Sequence, residues 1–189
     1  PLKFWMVAGA MRAGFLPHDE FGLRFIDALF GAIAFVYVFS LGRWLAGSIC
    51  GFVAVLLLFT LDSLLFNHGL RSNNMEAALV LSYCGGIYHF GRWVEGTSRR
   101  HQSLHATAVG CYFVLGFMTK FVAVLFLPLV CVMAIAWRAD ALVHLRSNWR
   151  QWVLPILLVF ALTTPWFLYQ AAHSQRALWQ TMFGLHVYT

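Results

Sequence analysis

The chain alternates long apolar blocks with short polar ones. Six blocks, at 22–41, 47–66, 77–93, 104–118, 121–137 and 152–170, approach the ~20 mostly apolar residues a helix needs to cross a bilayer. Helices are expected because lipid offers no partners for open backbone groups, and no alternating pattern of a membrane strand is found. The fourth and fifth blocks are short and meet at Thr119-Lys120, so this turn is expected below the membrane surface. Gly47 and Gly51 form a GxxxG pair that allows close helix packing. Two flanking segments, 1–15 and 171–188, mix aromatic and aliphatic residues with polar ones and suit helices lying in the interface. The fold class expected is an all-α membrane protein, with about six transmembrane helices plus two outer-face interfacial helices. These belong to a larger multi-spanning fold.

Composition agrees. Of 189 residues, 61% are hydrophobic and 11% charged, against about 45–50% and about 25% in an average soluble domain. This excludes a disordered chain and argues against an ordinary soluble globule. The net charge of +6, from 13 Lys+Arg and 7 Asp+Glu, would suggest nucleic acid in a soluble protein. Here the basic residues lie between apolar blocks, never more than two in a row, and no nucleic-acid partner is expected. Alternating spans sort them onto two faces. Arg43, Arg92, Arg99, Arg100, Arg138, Arg146 and Arg150 fall in plain connecting loops and are assigned to the cytoplasm. Lys3, Arg12, Arg24, Arg71, Lys120 and Arg176 fall on the outer face, periplasmic or lumenal. The four cysteines, Cys50, Cys84, Cys111 and Cys131, lie in apolar blocks without metal-ligand spacing and are expected to be buried thiols.

Charge is scarce at membrane depth because it costs roughly 2.5–3.5 kcal/mol per residue at a helix centre, so its placement is informative. Arg24 and Asp27, three apart, are expected to pair on one helix face. The densest polar stretch is Asn67-His68-Gly69-Leu70-Arg71-Ser72-Asn73-Asn74-Met75-Glu76. There Asn73 or Asn74 caps the following helix, with Glu76 near the positive end of its dipole. Arg71, His68, the two Asn and Glu76 hold more hydrogen-bonding capacity than a turn requires. Lys120 has no acid within ten residues. Either it snorkels to the interface or it meets a buried anion, for which a phosphate is a natural candidate. His173 reads as a surface histidine, and His89 as a packed residue with a local hydrogen bond. There is no HExxH, DxD or Cys/His cluster.

Taken in order, several of these segments resemble one family: multi-spanning glycosyltransferases that use lipid-phosphate sugars. It includes protein O-mannosyltransferases and bacterial aminoarabinose (lipid A) transferases. Pro1-Leu2-Lys3-Phe4-Trp5 is similar to the end of the family's PPL-x-x-W segment. Glu20-Phe21-Gly22-Leu23-Arg24 is similar to its E-x-x-x-R, with Ile26-Asp27 where Pro-Ser is usual. Tyr37 through Gly42-Arg43 resembles its Y-x-x-x-x-GR, and Arg71 through Glu76 its R-x-x-x-x-D. Gly116-Phe117-Met118-Thr119-Lys120 resembles its G-x-x-TK hairpin. Thr164-Pro165-Trp166 and Phe183-Gly184-Leu185-His186 resemble its last two motifs.

The resemblance implies transfer of a sugar, with inversion, from a polyprenyl- or dolichyl-phosphate donor to a lipid or protein acceptor on the outer face. A bacterial inner membrane is implied. Lys120, Arg71 and His186 are then expected at the donor phosphate, and Glu76, Asn74 and His68 at the acceptor or outer loop. His186 is also the candidate ligand for a possible divalent metal. A first residue of Pro rather than Met, and no terminal signal after His186, suggest a single transmembrane domain, 1–189, cut from a longer protein. The missing parts are then a first outer loop carrying the catalytic base and a C-terminal region. The rival reading is a transporter for lipid-linked sugars, or a non-catalytic binding paralogue.

Overall fold

A computed structural model describes the backbone of residues 2–61, 75–137 and 139–179. Every regular element among them is helical: α1 (Leu2–Arg12), α2 (Glu20–Ala46), α3 (Ser48–Thr60), α4 (Glu76–Glu95), α5 (Arg99–Phe117), α6 (Phe121–Val124), α7 (Phe126–Trp137), α8 (Ala139–Asn148), a 3-10 turn (Trp149–Trp152) and α9 (Val153–Trp179). Among the described residues, two stretches are long and apolar enough to cross a membrane, Glu20–Ala46 and Ala141–His173. Ser48–Thr60 and Phe121–Trp137 are apolar but shorter. Many large apolar side chains face outward, among them Phe52 and Leu57 on α3, Met133 on α7 and Phe160 on α9. This is the surface expected where lipid is the solvent.

Local chemistry sets the helix ends. Asp19 caps α2, its carboxylate accepting from Gly22 N–H at 2.9 Å. α2 ends at Gly47, whose φ of 90° lets the chain reverse directly into α3. The two helices then run back to back with their backbones touching. A methyl group on Gly42 would stand 2.6 Å from the Gly51 Cα. Gly51 is therefore an interface residue as expected, but its partner is Gly42, and Gly47 serves the turn instead of the packing.

Three other expectations are corrected. The block 121–137 is not one helix: it breaks at Leu125 into α6 and α7. Pro128 is the cause, because it has no N–H for the Val124 carbonyl and its ring crowds that group. The neighbouring Ala123 carbonyl accepts instead from the Tyr83 hydroxyl. Residues 171–179 do not form a separate interfacial helix; they continue α9 without a break, and residues 180–189 lie outside the described residues. The cysteines are free, but only Cys131 is buried, and Cys111 faces outward.

Two clusters hold the bundle. Val7, Ile26, Phe30, Ala34, Ala77, Ala78 and Leu81 join α1, α2 and α4. Phe90, Trp93, Ala106, Val109, Val124 and Leu127 join α4 to α5, α6 and α7. Small residues at the contacts let the helices approach closely. At the end where α4 finishes, Trp93 Nε1 donates to Gln151 at 2.8 Å and Gln151 donates to Gln102 at 2.9 Å, which pins the 3-10 turn to α4 and α5.

Candidate functional site

The first-turn end of α4 collects charge from four segments. Glu76 is the first residue of α4. The cap position is Met75, without a side-chain cap bond; Asn73 and Asn74 lie outside the described residues. Glu76 thus lies at the positive end of the helix dipole, where a carboxylate is favoured. Lys120 occupies the tight turn between α5 and α6. Its own N–H and that of Thr119 both reach the Gly116 carbonyl, at 2.8 and 3.1 Å. Gly116 is required there, since a side chain would run into Val124 and the Ser82 side chain. The turn projects the Lys120 ammonium to 3.3 Å from Glu76 Oε1. The anion that Lys120 meets is therefore a carboxylate 44 positions earlier in the chain.

A second pair adjoins it. Lys3 Nζ of α1 lies 2.7 Å from Asp27 Oδ2 of α2, and both side chains are fully buried. The start of α1 is also tied to the Lys120 turn, Leu2 N–H donating to the Met118 carbonyl at 3.2 Å. Asp27 and Glu76 are close enough to act on one another electrostatically. Among the described residues, Glu76 Oε2 and Asp27 Oδ1 are buried without a hydrogen-bond partner. The cluster therefore holds two ammoniums, two carboxylates and unused acceptor capacity at one end of the bundle.

Asp27 does not pair with Arg24. Arg24 faces outward and pairs with Glu20 one turn earlier, while Asp27 lies on the inward face beside Ile26, Phe30 and Gly31. The spacing of Gly22, Ile26, Phe30 and Ala34 in the sequence carries the signal, because it fixes the inward face with Asp27 on it and Arg24 off it. Asp19 and Glu20 are engaged structurally, in the cap of α2 and in the Arg24 pair.

Of the six residues expected at the site, Lys120 and Glu76 come together. Arg71, Asn74, His68 and His186 lie outside the described residues. Among the described residues, no three His, Cys, Asp or Glu side chains converge as metal ligands do, and both carboxylates of the cluster face an ammonium. His173 is exposed, stacked on Tyr169 and bonded through Nδ1 to that residue's carbonyl at 2.9 Å.

A polar chain links α2, α4 and α5 inside the bundle, and sequence reasoning missed it. The Tyr112 hydroxyl donates to Tyr37 Oη at 2.7 Å. Tyr37 lies 2.9 Å from His89 Nε2, and His89 Nδ1 lies 2.7 Å from His105 Nδ1. Tyr37 has one proton and already accepts from Tyr112, so it donates to His89. With both rings neutral, His89 then carries its proton on Nδ1 and gives it to His105, whose own proton is on Nε2. His89 is packed as expected, but its bonds are tertiary, to residues 52 and 16 positions away, rather than local. A histidine inside an apolar span demands a partner from another span, and that was the available signal.

No curated protein and no solved structure matches the chain. The family model of dolichyl-phosphate-mannose-protein mannosyltransferases matches residues 1–169, which include all four charged residues of the cluster. The chain belongs to the dolichyl-phosphate-mannose-protein mannosyltransferase family, membrane glycosyltransferases of the mannosyltransferase type.

Proposed function

We propose that this chain carries the donor side of a reaction that moves a sugar, with inversion, from a polyprenyl- or dolichyl-phosphate carrier to a hydroxyl on a lipid or protein acceptor. The observation that carries this reading is the Lys120–Glu76 pair: a turn-held ammonium with both groups partly exposed, in a chain of this family. In such a transfer the acceptor oxygen attacks the anomeric carbon as the bond from that carbon to the phosphate oxygen breaks. The acceptor proton goes to a base, and the carrier phosphate departs with the electron pair. Negative charge therefore builds on the phosphate, and a fixed cation there lowers the barrier.

Lys120 is the cation assigned to that phosphate. Glu76 holds it in place through one oxygen and keeps the other for the acceptor or for a further donor. Arg71 and His186 are assigned beside Lys120, Asn74 and His68 beside Glu76, and no residue of this chain is assigned the base. Topologically, the reading is of six spans with the cluster on the periplasmic or lumenal side, in a bacterial inner membrane, as one transmembrane domain. The test is transfer from polyprenyl-phosphate mannose by full-length protein carrying Lys120→Ala. A loss of about 10²–10³-fold is expected, the range for removing one preorganised charge-stabilising donor. Unchanged transfer overturns the assignment of Lys120.

A further inference from the structure

At the far ends of α2 and α4, away from Glu76 and Lys120, the two helices enclose a groove of about 460 Å³. Phe39, Ser40, Arg43 and Trp44 of α2 and Tyr88 and Arg92 of α4 line it. Arg43 lies sixteen residues beyond Asp27 on α2, and Arg92 sixteen beyond Glu76 on α4. At 1.5 Å per residue both are about 24 Å from the charged cluster. A bilayer core is about 30 Å thick, so the groove sits at the opposite membrane boundary. This placement rests on the reading that α2 and α4 cross the bilayer.

The groove carries two guanidiniums against one carboxylate. Glu95 accepts from Trp44 Nε1 at 2.8 Å through Oε1 and stands 3.5 Å from Arg92 through Oε2. Arg43 has no acidic partner among the described residues. The Ser40 hydroxyl proton is committed to the Val36 carbonyl, but the Tyr88 hydroxyl has no partner among the described residues, while its ring is braced against Tyr37 and His89. Donors of both kinds thus converge on one polar space with a net positive charge. Guanidiniums match the oxygens of a phosphate in pairs. Phe39, Trp44 and Tyr88 give the walls the aromatic character of residues that sit at headgroup level. Leu45, next in sequence to Trp44, and Ile49 and Phe52 at the start of α3 are exposed apolar side chains of the kind an acyl chain covers.

We infer that this groove binds the phosphate of an anionic phospholipid, held by Arg43, Arg92 and Tyr88. Basic pockets between membrane helices recognise such headgroups, and each cation is worth roughly fivefold in affinity near a membrane surface.

Native mass spectrometry of detergent-solubilised full-length protein, titrated with phosphatidylglycerol, tests it. Phosphatidylglycerol is expected to bind more tightly than phosphatidylcholine. Arg43→Ala with Arg92→Ala should weaken it about thirtyfold, fivefold for each cation. Arg99→Ala with Arg100→Ala removes the same charge outside the groove and should change binding less than twofold. Glu95→Gln keeps an acceptor for Trp44, removes the opposing charge and should tighten binding about fivefold. Equal loss in the two double variants, equal affinity for the two lipids, or displacement by millimolar inorganic phosphate overturns the inference. Recovery of the protein from the soluble fraction without detergent would instead overturn the membrane reading beneath it. Sugar transfer takes no part in the readout.

Discussion

Two lysine–carboxylate pairs lie at the same end of this bundle, and they are chemically alike. Lys3 and Asp27 are 1% and 0% exposed, whereas Lys120 and Glu76 are 40% and 30% exposed. Burial gives them different work. A buried pair costs desolvation on both sides, and removing one partner strands a charge that nothing else can solvate. A half-exposed pair contributes little to stability, about 0–1 kcal/mol. Its lysine can therefore exchange a carboxylate for a phosphate at small cost. The dry pair fixes α1 against α2; the wet pair is the one left open to exchange its partner, as the proposed role of Lys120 at the donor phosphate requires.

The largest effect is expected where the comparison is sharpest. Lys3→Met leaves Asp27 buried without its ammonium, and unfolding of the full-length protein should show a loss of about 3–5 kcal/mol. The double variant Lys3→Met with Asp27→Leu should recover most of it, because an apolar pair of similar volume needs no solvation. A double variant as unstable as the single one would show that the pair is not the cause. For the wet pair, Glu76→Gln should leave stability within about 1 kcal/mol. Sugar transfer should fall about ten- to hundredfold as Lys120 loses its placement. If melting and transfer fall together, the two pairs do not differ in the way described. A third case, polar and uncharged, is smaller. His89→Phe leaves the Tyr37 hydroxyl proton and His105 Nδ1 without their partner inside the bundle, although Tyr37 still accepts from Tyr112, and a loss of about 1–2 kcal/mol in thermal unfolding is expected.

Helix type and the α5–α6 turn were legible in the sequence because they depend on local pattern: apolar blocks, and Gly116 four residues before Lys120. Glu76 at the start of α4 was legible for the same reason. The number and length of spans were harder. The block 121–137 is apolar throughout, and only Pro128 marks the break that shortens it. The continuation of α9 past 170 was hidden because its polar residues there resembled a boundary, although helical hydrogen bonding does not stop where hydrophobicity does. Long-range partners were the least legible. Nothing near Lys120 names Glu76, and nothing near Asp27 names Lys3, since these pairs arise from helices brought side by side. In the Asp27 case the inward face of α2 was already written in Gly22, Ile26, Phe30 and Ala34. Weighing that face above the three-residue spacing to Arg24 would have released Asp27 for a tertiary partner.

Helix α4 grips the α5–α6 hairpin at two points. Glu76 meets Lys120, and Tyr83 donates to the Ala123 carbonyl that the Pro128 break helps to set apart. These residues are seven apart, two turns along one side of α4, and the groups they hold are three positions apart across the turn. The ammonium's height is thus indexed to the register of α4 rather than to the hairpin itself. One residue inserted between Glu76 and Tyr83 would rotate the two grips apart by about 100°, so they could no longer be satisfied together. The spacing along α4 works as a gauge, and Lys120 is held where that gauge sets it.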